Sequence, residues 1–211
     1  MRARLSIVAV AIGTMIAALA AGGTCARAEA ASTDNGFAKL LFAGDPGKQE
    51  KSYACFVRQY DAAHLARHPL QKVNAMKLLI TAEKVAEDAE DEVLNYSFRL
   101  GLAFRNRPGN FDSSGDCGHV KETSSPDNKA QLRCSVDCDG GGISVELAGD
   151  SKSTKIRLDT IRIWRNNKPD EDGFSLSGGA DDRVFRLDLA SLEQCRALVT
   201  DRKEFAAMRR K

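Results

Sequence analysis

Five arginines, Arg99, Arg105, Arg133, Arg157 and Arg186, stand on the polar parity of segments whose other parity is apolar. A guanidinium is a planar fork of donors that grips a carboxylate, sulfate or phosphate bidentately. Five of them on neighbouring strands would make a ladder for an anionic ligand. The competing arrangement is an ordinary solvated face, in which Asp137, Glu146, Asp159 and Asp188 neutralise the arginines across strands.

Beyond an N-terminal apolar run the chain keeps Cys55, Cys117, Cys134, Cys138 and Cys195, all disulfide candidates in an oxidising compartment. Five is odd, so one thiol stays out of any intrachain bridge. Cys134 and Cys138 lie four apart on one strand face, which separates their Cα atoms by roughly 13 Å and prevents a bond between them. Cys117 is left to pair with either one, and Cys55 with Cys195 would tie the two ends of the domain together. Cys117, His119, Cys134 and Cys138 offer four zinc donors, but their spacing matches no finger, and no metal or other cofactor is expected.

Catalytic motifs are weaker still. His64 and His68 share a helix face with Asp61 one turn before, but no glutamate stands between them as in HExxH. The chain has neither a GxSxG elbow nor an SxxK pair. Asp137 and Asp139, and the run Asp170 to Gly173, lack the ligand series of a calcium loop and read as turns.

These residues must be positioned by strands. Leu132 to Leu147 carries two alternating runs, Leu132, Cys134, Val136, Cys138 and then Ile143, Val145, Leu147, joined at Asp139-Gly140-Gly141-Gly142. Side chains alternate faces along a strand, and glycines supply the positive φ of a tight reversal, so a hairpin is predicted. Asn95 to Arg105 alternates cleanly through Tyr96, Phe98, Leu100, Leu102 and Phe104. Thr154 to Arg165 alternates through Ile156 and Leu158 and then shifts parity to Ile161 and Ile163, which predicts a bulge near Asp159-Thr160. Arg183 to Leu189 reads as a last strand, with Phe185, Leu187 and Leu189 on one face.

Around these the pattern is less regular. Ser52 to Ala66 has near-helical apolar spacing and meets His68-Pro69, which predicts a helix ending there. Gln71 to Leu94 fits a helix or a strand. A strand at Val73 to Ala82 with a solvated link at Glu87 to Glu92 is preferred, because the next strand needs a neighbour. Asn110 to Lys129 reads as a turn-rich loop, and Asn166 to Gly173 as a turn. Ser191 with Gln194, and Asp201 with Glu204, predict caps for two short helices that bury Leu192, Cys195, Leu198 and then Phe205, Met208. The order predicts a mainly β domain, an antiparallel sheet forming a partly closed barrel or a sandwich, with short helices at both ends.

The first residues add a compartment. Arg2 and Arg4 precede an almost wholly apolar stretch, Leu5 to Ala21, and small residues follow at Ala26, Ala28 and Ala30. That is the plan of a secretory signal peptide over residues 1–28, with a mature chain starting near Glu29 or Ala31. Residues 29–51 then read as a flexible lead-in, anchored at most by Phe37, Leu40, Leu41 and Phe42, and residues 52–211 as a single domain. Removing Arg2, Arg4 and Arg27 turns 31 basic against 29 acidic residues into 28 against 29. A near-neutral domain has no global field to recruit nucleic acid, and no membrane span is expected after cleavage. The sequence therefore points to a periplasmic or secreted binding protein for a small-molecule or glycan ligand, anionic if the arginines bind it. An exported hydrolase with an unrecognised site is the alternative.

Overall fold

Where apolar and polar residues alternate the chain forms strands, and nine of them pair antiparallel in the computed structural model, which describes residues 36–86, 92–121, 130–149, 151–166, 168 and 172–208. They are β1 Lys51–Gln59, β2 Val73–Ala86, β3 Glu92–Phe104, β4 Asn110–Lys121, β5 Ala130–Ser135, β6 Gly141–Leu147, β7 Ser153–Arg165, β8 Phe174–Ser177 and β9 Val184–Ala190. Each of β1 to β6 pairs with the next, and pairings β6–β7, β7–β9 and β9–β1 close the sheet into a ring. The ring is not a regular barrel. Beyond β9 and β6, β7 pairs with β8 through Thr160 to Ile163 and with β4 through Trp164 and Arg165.

Inward-facing residues fill the ring with one apolar core that includes Phe56, Leu78, Phe98, Leu100, Leu132, Val145, Ile156 and Phe185. A short helix over 36–41, α1, adds Phe37, Ala38 and Leu41 to that core. From residue 36 onward the expected lead-in is thus part of the packed domain, while Leu40 points outward at 56 % exposure. The predicted signal peptide lies outside the described residues.

The hairpin β5–β6 forms as predicted, but its turn is made differently. Cys138 and Asp139 take the positive φ of a type I′ turn, 54° and 60°, and Gly140 N–H donates to the Asp137 carbonyl over 3.2 Å. The glycines serve close approach instead. A Cβ at Gly141, whose φ is 71°, would sit 2.0 Å from the Thr160 carbonyl oxygen, and one at Gly142 would sit 2.0 Å from that of Cys134. Opposite them lies the predicted bulge. Ile143 pairs with Leu158 but Gly141 with Ile161, so β7 carries one residue more than β6 at Asp159-Thr160.

The helix expected over Ser52 to Ala66 is strand β1 followed by the short helix α2, Ala62–Arg67. Burial on both faces explains the misleading spacing, since Ser52 through Phe56 are all buried. Asn110 to Lys121 is strand β4 rather than loop, and β8 follows the turn that was expected to lead directly to the last strand. Of the preferred link at Glu87 to Glu92, only Glu92 is described, as the first residue of β3. Leu189 is 42 % exposed although Phe185 and Leu187 are buried.

The C-terminal segment packs on the outside of the ring. A 3₁₀ helix, Leu192–Leu198, and helix α3, Arg202–Met208, bury Cys195, Leu198 and Met208 against Tyr53, Cys55 and Leu79. Gly101 leaves room for Leu198, whose Cδ2 lies 2.7 Å from where a Cβ would be. Asp201 caps α3 by accepting from Lys203 and Glu204 N–H, whereas Ser191 makes no side-chain cap. The Cys55–Cys195 disulfide fastens the segment across 140 residues. Replacing both cysteines with alanine should lower stability by about 2–5 kcal/mol, as expected for a bridge closing so long a loop. Thermal unfolding of the double variant measures this, and an unchanged Tm would contradict it.

Candidate functional site

The outer face of β4, β5, β6, β7 and β9 presents two lateral rows. In the first, Gly118, Arg133, Ser144, Arg157 and Val184 are successive cross-strand partners. In the second, Gln131, Glu146, Lys155 and Arg186 stand side by side. Arg133, Arg157 and Lys155 are exposed, and no hydrogen bond or ion pair joins them to another described residue. Arg133 also lines a groove of about 570 Å³ over the hairpin, together with Ser135, Asp139, Ser144 and Asp159. That size falls within the ~300–1,000 Å³ of small-ligand sites.

The other three arginines are engaged elsewhere. Arg99 faces α3, and its two terminal nitrogens donate to the two carboxylate oxygens of Glu204 at 3.1 and 2.9 Å. Arg105 follows β3 and donates to the carbonyls of Leu65 and His68 at the C-terminal end of α2, at 3.2 and 3.4 Å. Such donors satisfy carbonyls that a helix end leaves unpaired. Arg186 lies beside Asp188 at 3.7 Å. The structure therefore places Arg133 and Arg157 together, with Arg186 one row away, and sets Arg99 and Arg105 apart.

The histidines are built into packing. His64 is stacked between Tyr60 and His68, at 4.5 and 4.3 Å between ring centroids, and its Nε2 meets Gln71 Oε1 at 3.0 Å. His68 Nδ1 lies 3.7 Å from Asp181, whose other oxygen accepts from Leu70 N–H. Buried Asp182 accepts from Lys72 and Val73 N–H, so these two aspartates pin the β1–β2 connection to the β8–β9 loop. His119 packs edge-on against Phe37 and Tyr96. Cys117 and Cys134, directly opposite in register, form the second disulfide, and Cys138 is the free, exposed thiol. Two of the four zinc donors considered are thereby oxidised, and no group of three metal ligands occurs among the described residues.

A larger groove, about 920 Å³, runs between the 3₁₀ helix and α3. Its cations are largely occupied: Lys77 donates to the Gln194 carbonyl at 2.8 Å, and Arg196 lies 3.5 Å from Glu193 and 4.7 Å over the Phe205 ring. The hairpin groove is thus the better candidate despite its smaller volume. Sequence inspection missed Lys155, Gly118 and the serines, because only cross-strand register shows which residues stand beside Arg133. Comparison with known proteins gives no match to a family model, a curated protein or a solved structure. No helix among the described residues is long and apolar enough to cross a membrane.

Beneath α3, burial holds the Tyr53 phenol at about 12, with the Glu204 carboxylate adding to the rise and Arg99 opposing it. The folded state keeps the proton longer than the unfolded chain does. The associated stabilisation is complete below pH 10 and is lost as pH rises towards about 12. Difference titration of the parent against Tyr53→Phe should show one phenol ionising near 12, and ionisation of that phenol near 10 would contradict the buried placement.

Proposed function

We propose that the protein is an exported, periplasmic or secreted, binding module that holds an anionic ligand on the outer face of β5, β6 and β7. The observation that carries this is the pair Arg133 and Arg157, which flank Ser144, are exposed, and have no hydrogen-bond or ion-pair partner among the described residues. The two stand on one face with a strand between them, and the forked geometry of each guanidinium suits a planar oxyanion. Lys155 and Arg186 extend the positive field, and Glu146 is the acidic residue within these two rows.

Export is supported by the predicted signal peptide and by two disulfides, which persist where thiols are oxidised. Since the domain without the leader is near neutral, attraction of the ligand is local to this face rather than a property of the whole molecule.

Alanine at both Arg133 and Arg157 should weaken binding of an anionic envelope polymer about tenfold or more, because a hydrogen bond to a charged group contributes ~1.5–3 kcal/mol. Unfolding free energy should change by no more than about 0.5 kcal/mol per site, since both side chains are exposed. Arg99→Ala should do the reverse, lowering stability through loss of its Glu204 pair and leaving affinity intact. Parent binding should fall with added salt, whose screening length is ~10 Å at 0.1 M. Equal affinity of parent and double variant would refute the assignment.

A further inference from the structure

We infer that the anionic ligand is an acidic oligosaccharide, a chain of hydroxyl-bearing rings carrying carboxylates, laid across β4, β5, β6 and β7; this rests on the anion-binding function proposed above. Two features of the face select a sugar acid over a phosphate or a lipid headgroup. The first is the mixed chemistry of the groove. Beside Arg133 it carries the carboxylates of Asp139 and Asp159 and the hydroxyls of Ser135 and Ser144. Asp159 is met by Arg183 at 3.8 Å, and Asp139, Ser135 and Ser144 make no side-chain hydrogen bond or ion pair within the described chain. Carboxylates repel any anion, and a bare phosphate cluster offers no hydroxyl donors to offset this. Towards a sugar acid they are acceptors for ring hydroxyls, while the arginines take the acid group.

The second feature is Gly118. Glycine weakens a strand, so a strand glycine usually marks a bulge or a close backbone approach. In these strands Gly142, and Gly115 on the inward face, have that reason, since a Cβ at either would fall within 2.0 Å of a facing carbonyl oxygen. Gly118 has none. Its φ is not among the positive ones, and a Cβ built there meets no atom within 4 Å. What its missing side chain does is clear one flank of Arg133, as the small Ser144 clears the other. A sugar ring fits such a berth, and Gly118 is accordingly a specificity-determining position. Arg133 and Arg157 stand two strands apart, about 10 Å at the usual strand separation. With both side chains extended, two acid groups at that spacing engage both arginines, which an acidic oligomer supplies.

Calorimetry with the exported full-length protein tests this using tetragalacturonate, a neutral galactose tetramer, tripolyphosphate and vesicles containing phosphatidylglycerol. Tetragalacturonate should bind at least tenfold more tightly than each of the other three. Gly118→Val should weaken it at least tenfold without lowering Tm, and Asp159→Asn should weaken tetragalacturonate while leaving tripolyphosphate binding equal or stronger. Tripolyphosphate or vesicles binding as tightly as tetragalacturonate overturns the sugar assignment but leaves anion binding standing. A Gly118→Val variant that folds and binds like the parent, or an Asp159→Asn variant with undiminished tetragalacturonate affinity, also overturns it. Binding of none of the anions refutes the anion-binding function itself.

Discussion

Ring closure through β7 is the constraint on which the rest of this structure depends. One strand serves β9 and β6 along its first half and β8 and β4 along its second. It can do so because an extra residue at Asp159-Thr160 shifts its inward parity, so that Leu158 and Ile161 both reach the core. Local twist at a bulge re-aims the strand without breaking its pairing. The glycines of the hairpin complete the arrangement, since the backbone of Gly141 lies against that of Thr160 where no side chain fits. The same closure sets Arg133, Ser144 and Arg157 in one row, so the candidate site is a consequence of the register that closes the ring.

Legibility in the sequence follows which faces are covered. The β5–β6 hairpin, the bulge in β7 and strand β3 were readable because one face meets the core and the other meets water, leaving clean alternation. β1 was not, because the C-terminal segment covers its outer face and Tyr53 to Phe56 are buried on both sides. A doubly covered strand loses its period of two and resembles a helix segment. β4 failed for the opposite reason. Its residues from Asp112 to Gly118 are polar or glycine apart from Cys117, so neighbouring strands rather than its own pattern hold it in the sheet.

The five arginines illustrate the same limit at the site. Their parity was readable, and Arg133 and Arg157 do stand exposed on the outer face. What covers an outer face is decided by elements distant in sequence. Arg99 is 105 residues from Glu204, and no local pattern announces that α3 will lie over it. The disulfide Cys55–Cys195 was inferred correctly from position, but it joins a strand to a 3₁₀ helix instead of two helices. Gly118 carries no signal in sequence at all, and its meaning depends on knowing which residue stands opposite.

The most direct measurement of the central claim is a nuclear magnetic resonance titration of the backbone amides with tetragalacturonate at low salt. A saturable set of shifts centred on Gly118, Arg133, Ser144 and Arg157, fading towards α3, is the predicted result. Shifts centred instead on the groove around Lys77 and Phe205, or a uniform drift that never saturates, would contradict it.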